Sequence, residues 1–140
     1  MYDFPSNEWA QAYKDAINAN PEYKVHGKDW THGVVAFVVK ADPALHIDHD
    51  TALWLDVHGG ECREVKLMTA EEAQAAAFVI VAPYAMWKTI IKREIDPIKA
   101  MMQNKVKLTK GHMPTIVRYV NSSRQLVEST SRVPTKFRDE

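Results

Sequence analysis

The stretch Ala75–Val120, AAAFVIVAPYAMWKTIIKREIDPIKAMMQNKVKLTKGHMPTIVRYV, carries the pattern that decides the fold. Ala76–Ala82 is a short apolar run with Phe78, Val79, Ile80 and Val81, residue types that suit a buried strand, and Pro83 closes it. Beyond Pro83, Ala85, Met86, Ile90 and Ile91 recur at helical spacing with Trp87 among them. Asp96-Pro97 ends that pattern and starts another, since aspartate suits an N-cap and proline the first helical turn. The second helix brings Ile98, Met101 and Met102 to one side and stops near Asn104. Lys105–Lys110 alternates in the manner of a half-buried strand. Gly111 turns the chain, and Pro114 opens a longer helix in which Met113, Ile116, Val117, Val120 and Val127 share a face. Two short helices with more apolar surface than their length hides have two uses. They pack tightly on a sheet, or they roof a cavity.

Outward from this stretch, Ser6–Asn20 reads as a helix with Trp9, Tyr13, Ala16 and Ile17 on one face, ended by Asn20-Pro21. Pro21–Asp29 is a polar connection. Trp30–Lys40 is a strand whose run Val34–Val39 lacks polar alternation, as in a central strand covered on both faces. Ala41–Asp50 is a loop. Thr51–His58 puts Leu53, Leu55 and Val57 on one face, Gly59-Gly60 makes a tight hairpin, and Glu61–Met68 returns. Thr69–Glu72 starts a short helix or turn with acidic residues in its first turn. One domain therefore occupies residues 1–128, and Ser129–Glu140 reads as a flexible tail. Five strands and four or five helices, the helices concentrated late, make an α+β layout with helices on one side of a sheet.

The chain has 140 residues, 46% of them hydrophobic and 26% charged, which suits one folded domain and excludes a disordered chain. No apolar run approaches the ~18–20 residues of a membrane span, and the start lacks the pattern of a secretory leader. With the single cysteine, Cys62, this points to a cytoplasmic location. The net charge of zero conceals a split: residues 1–82 carry −7 and residues 83–140 carry +7. A basic rim in the second half suits anionic headgroups or a transient membrane-surface contact; equally, the two halves attract each other or a second copy in a homodimer. Nucleic acid is not expected, because the basic residues form no dense cluster interleaved with aromatics.

Residues for catalysis are sparse. His46, His49 and Asp50 lie close together, and His58, Glu61 or Cys62 would have to complete a metal site for a metal-assisted hydrolase. Adjacent Glu71 and Glu72 point apart on a helix, and no phosphate-cradling loop or nucleophile elbow is present. The expectation is therefore no catalytic residue, no metal and no cofactor. A binding protein needs only a dry concavity with a few polar anchors. The residues expected to face inward between sheet and late helices are Phe78, Ile80, Trp87, Ile90, Ile91, Ile98, Met101, Met102, Met113, Val117 and Val120. Methionine suits such a lining because its flexible, polarizable chain follows ligands of varied shape. Lys88, Lys92, Lys99 and Arg118 are the candidate rim anchors for an anionic head.

The segments APYAMWKTII and IDPIKAMMQNKVKLTKG resemble the sterol carrier protein 2 (SCP2) sterol-binding family, whose members share the Asp-Pro helix start, a Gly-Lys-Leu-Lys-like strand and a Gly-Asp turn. Asn104 stands where the family has glycine and His112 where it has aspartate; asparagine tolerates the left-handed conformation, whereas histidine is the weaker cap. The resemblance runs more loosely from Trp9 to about Val127. It implies a five-stranded, mostly antiparallel mixed sheet covered by helices, with an apolar tunnel between the layers. It also implies a non-catalytic carrier for a fatty acid, fatty acyl-CoA, phospholipid, sterol or isoprenoid. The alternative is the same fold with a filled core, used for dimerisation or as an accessory to a lipid-related enzyme.

Overall fold

A computed structural model describes all 140 residues. The first half runs β1 (Tyr2–Phe4), α1 (Asn7–Asn18), α2 (Pro21–His26), β2 (Val35–Val39), β3 (Thr51–His58) and β4 (Glu61–Thr69). The second half runs β5 (Phe78–Ala82), α3 (Tyr84–Ile91), α4 (Pro97–Met102), β6 (Lys107–Lys110), α5 (Met113–Arg118), α6 (Val120–Thr130) and β7 (Thr135–Phe137). The main sheet has the order β4-β3-β2-β5-β6. Only the β2–β5 pair is parallel; the other three pairs are antiparallel, so the expected mixed sheet is present.

β2 is buried at every position, as its unbroken apolar run requires of the middle strand. Val35, Phe37 and Val39 face the helices, together with Leu53, Leu55 and Val57 of β3 and Phe78, Ile80 and Ala82 of β5, in one core of 30 buried residues. The opposite face carries Ala36, Val38, Ala52 and Val79, capped by Ala73 and Ala76 from the turn before β5. That turn is opened by a reciprocal cap: Thr69 N donates to Glu72 Oε1 and Glu72 N donates to Thr69 Oγ1. Two turns need glycine. Gly59 and Gly60 both have positive φ in the β3–β4 hairpin. Gly111 has φ +111°, and a Cβ there would lie 2.4 Å from the Phe78 ring. Asn104 takes φ 58°, the left-handed conformation expected of it, and His112 caps no backbone N–H of α5, its ring Nδ1 lying instead 3.2 Å from the Thr115 hydroxyl.

Several elements differ from the sequence expectation. Asn20-Pro21 stops α1 but also starts α2, where the Asn20 side chain accepts from Glu22 N and Tyr23 N and Pro21 fills the first turn. The strand expected over residues 30–40 is confined to Val35–Val39. The long helix expected after Pro114 is two, because Tyr119 leaves helical angles and its ring sits against Trp30 and His32 at 5.3 and 5.0 Å. The tail expected to be flexible is held. β7 pairs parallel with β1, and Val133 and Phe137 are buried. Trp9 Nε1 donates to Thr135 Oγ1 at 2.9 Å, and Arg138 N donates to the Tyr84 hydroxyl at 2.7 Å. Two apolar residues among polar ones leave no periodic signal, so only their distant partners reveal the pairing.

Candidate functional site

α1 closes one part of the inner sheet face. Trp9, Ala10, Tyr13 and Ile17 are fully enclosed, the Tyr13 hydroxyl donates to Leu126 O at 2.8 Å, and Asn18 both donates to and accepts from Cys62 backbone groups on β4. Over the rest of that face the cover is α3, α4, α5 and α6, and here it does not fill. Val35 and Phe37 of β2, Val57 of β3 and Ile80 of β5 form the floor of a cavity. Trp87 and Ile90 of α3, with Pro97, Ile98 and Met101 of α4, form one wall. Ile116, Leu126 and Val127 close the roof, and Tyr23, Trp30, Val106, Ser122 and Ser123 complete the lining. Of these 17 residues 14 are hydrophobic, and none is charged.

The space is narrow. The centre of a water-sized sphere has about 40 Å³ available, room for roughly three waters by that measure. An open tunnel of the expected kind is therefore absent, and an alkyl chain enters only if the roof yields. The void continues in two directions. A smaller apolar gap bounded by Phe4, Trp9, Val39, Leu53 and Ile91 shares Phe37, Trp87, Ile90 and Val127 with it. An outer cleft of about 280 Å³ shares Ile90, Pro97 and Val127. This cleft is the candidate mouth of the slot. Two ion pairs span it from the α3–α4 link and the start of α4 to α6: Arg93–Glu128 at 3.0 Å and Arg124–Asp96 at 2.9 Å.

Among the residues expected to face inward, Ile80, Trp87, Ile90, Ile98 and Met101 line the cavity, and Ile91 borders the smaller gap. Trp87 is fixed there by donating its Nε1 proton to Val38 O at 2.9 Å. Phe78 is buried on the same sheet face but packs on Trp30 and over Gly111, outside the lining. Val120 is half-buried and also outside it. Three expectations of burial are corrected: Met102 is 81% exposed, Val117 54% and Met113 40%. The reason is helix length. α4 and α5 have six residues each, so only one side of about one and a half turns reaches the core, and Met101 and Ile116 take it.

The rim lysines are corrected too. Lys88 binds Asp139 at 2.9 Å and Glu140 at 2.7 Å, and Lys92 binds Glu140 at 2.7 Å, which raises the Lys88 pKa and lowers that of Glu140. Both cations thus hold the tail. Lys99 and Arg118 form no ion pair, and Arg118 lies 5.7 Å from the centre of the Tyr119 ring. The split of charge along the chain does not join its halves: each ion pair links residues within 1–82 or within 83–140.

Reactive groups are not assembled. Burial pushes the Cys62 thiol up to about 12, which removes its nucleophilic form at neutral pH. Asp50 Oδ1 accepts from Ala41 N at 2.7 Å, and no three His, Cys, Asp or Glu side chains converge as a metal site would need. No helix is long and apolar enough to cross a membrane.

The lining residues not named as lining from the sequence are Pro97, Val106 and Ile116 within the late stretch, and Tyr23, Trp30, Val35, Phe37, Val57, Ser122, Ser123, Leu126 and Val127 outside it. The alternation that put Val57 with Leu53 and Leu55 was the available signal for the floor. Nothing in the pattern marked Tyr23 or Ser122.

A layered α+β fold with an uncharged slot between sheet and late helices can be compared directly with known proteins. The SCP-2 sterol transfer family matches residues 12–119, most of the chain. The chain belongs to this family. A crystal structure of sterol carrier protein 2 is 30% identical with TM-score 0.86, covering 91% of this chain and 97% of that one. A protein from Thermus thermophilus described as possibly a sterol carrier protein is 29% identical with TM-score 0.85, covering 94% and 90%. The UbiJ-SCP2 ubiquinone synthesis protein, 15% identical with TM-score 0.54 over 89% of each chain, shares the fold. No curated protein matches the sequence. As an SCP-2 family member the chain falls, in general terms, in the class of lipid-binding and lipid-transfer proteins.

Proposed function

We propose that this SCP-2 family member is a non-catalytic lipid carrier whose long-chain apolar ligand lies between the inner sheet face and the roof of α4, α5 and α6. The observation that carries the reading is the uncharged, largely apolar lining, 14 hydrophobic residues of 17, beside an outer cleft. Each methylene moved from water into such a wall contributes about 0.8 kcal/mol. Ten methylenes supply about 8 kcal/mol, from which ordering the chain and parting the roof must be subtracted. The roof is the part suited to yield: α4 and α5 are short, and their outer faces are solvated. Met101 in the wall can follow the ligand as it enters.

Native mass spectrometry of the purified protein is expected to show copurified lipid, and a fluorescent apolar probe is expected to bind and be displaced by unlabelled lipid. Val127 borders the cavity, the smaller gap and the mouth. Val127→Trp should therefore weaken probe binding at least about tenfold, a loss of ~1.4 kcal/mol or more. A wild-type protein that takes up no apolar probe at micromolar concentration would falsify the carrier reading.

A further inference from the structure

One polar feature of the cavity has no role in the packing. Tyr23 is fully enclosed, lines the cavity, and its hydroxyl has no hydrogen-bond partner. It is the only fully enclosed side-chain polar atom in the molecule without one. Every comparable group is satisfied: Tyr13 by Leu126 O, Trp9 by Thr135, Trp30 by Gly33 O, Trp87 by Val38 O. A buried hydroxyl left unpaired costs about 1–3 kcal/mol, so one enclosed beside a cavity without a partner invites a partner from outside. α6 packs against α2 at this wall. Ser122 is buried in the same lining with no side-chain hydrogen bond of its own. Burial raises the Tyr23 pKa and the Ser122 hydroxyl opposes that rise, yet the two do not meet the geometry of a bond. Two uncommitted hydroxyls therefore share one wall of an otherwise apolar space.

We infer that Tyr23 and Ser122 are the polar anchor of the cavity, and that it selects an apolar molecule carrying one uncharged hydrogen-bonding oxygen. This rests on the carrier reading above. The phenol donates to the ligand oxygen, and Ser122, which can donate or accept, serves a hydroxyl or a carbonyl. A carboxylate does not suit the place. No lining residue is cationic, Lys88 and Lys92 are bound to the tail, and the arginines of the mouth are paired with Glu128 and Asp96. An anion would lose its hydration with two neutral hydroxyls and no cation to replace it. The geometry also orients the ligand. Ser122 is near the start of α6 and Val127, at the mouth, is five residues on, about 7–8 Å at the helical rise. The oxygen goes in first and the alkyl part trails toward the mouth.

The test is displacement of Nile red, a neutral apolar dye, by 1-dodecanol, dodecanoate and dodecane at pH 7, on wild type, Tyr23→Phe and Ser122→Ala. In wild type the alcohol should displace better than the carboxylate. Tyr23→Phe should weaken 1-dodecanol about five- to tenfold and leave dodecane unchanged; Ser122→Ala should weaken the alcohol about two- to threefold. The lost hydroxyl has no protein partner, so Tyr23→Phe should keep or raise the melting temperature. Equal responses of alcohol and alkane to Tyr23→Phe, the result if the hydroxyl holds only a trapped water, overturn the anchor and leave the carrier standing. Dodecanoate as the best competitor overturns the choice of an uncharged ligand. Failure of Nile red and all three competitors to bind wild type overturns the carrier reading and the anchor with it.

Discussion

Two helical covers lie on one face of the same sheet, and they are packed to different ends. Under α1 the sheet meets Trp9, Tyr13 and Ile17, enclosed on all sides; Trp9 is bonded to the tail, Tyr13 to α6, and Asn18 of the same helix to β4. Under α4 and α5 it meets Ile98, Met101 and Ile116 across a narrow void, while Met102 and Val117 point to water. Large aromatics on a twelve-residue helix make a closed layer. Six-residue helices bearing aliphatic side chains make a roof that covers without filling. The first cover is closed, and the spare volume of the interior lies under the second.

The sharpest way to break this contrast is truncation on each side. Trp9→Ala should lose about 3–5 kcal/mol in urea unfolding, whereas Met101→Ala, which enlarges an existing void, should lose about 2. Equal losses would mean the two covers are one uniform core. Next comes enlargement. Ala10→Trp in the closed layer should cost about 3 kcal/mol or more, while Val127→Trp, which has free space on three sides, should cost about 1. A reversed order in thermal melts would place the spare volume elsewhere.

The mouth offers a finer test. Arg124→Ala removes the Arg124–Asp96 pair, whose members are both partly exposed. Stability should change by no more than about 1 kcal/mol. The on-rate of Nile red in stopped flow should rise a few-fold, and added salt should speed the wild type toward the variant. An unchanged on-rate would put the entrance on another side.

The smallest effect concerns the tail. Lys88 and Lys92 hold the Glu140 carboxyl below its ordinary pKa. A carboxylate with a lowered folded-state pKa contributes stability at pH values above its unfolded pKa, and that contribution disappears as pH falls through the folded value. Protection of the β7 amides, measured relative to intrinsic exchange at each pH, should therefore fall once the pH drops below the ordinary glutamate range, well before protection falls in α1. Simultaneous loss of protection in both would show that the tail is part of the closed layer.

Much of this was legible in the residues. The unbroken run of β2, the alternation of β3, the glycine pair of the first hairpin and the Asp-Pro start of α4 are local signals, each set by the conformational preferences of a few neighbours. They were enough for the mixed sheet, the late helices and five of the cavity-lining residues. The signals failed where a residue's surroundings come from afar. Asn20-Pro21 stops one helix and starts another in the same two residues, and the polar tail hides a strand whose partner is residues 2–4. The inward face of α4 and α5 was drawn too wide, since periodicity says which residues share a side but not how much of that side is covered.

By itself, then, the order of residues determined the strands of the main sheet and most of the helices, the central strand, the family and the apolar character of the late helices, because those follow from short-range sterics and from the spacing of apolar side chains. The tertiary structure decided the width of the slot, the placement of its mouth between two ion pairs, and the meeting of Tyr23 with Ser122, 99 positions apart in the chain. Those depend on how α2, α6 and the sheet stack in three dimensions, and no periodicity along the chain encodes the space left between them.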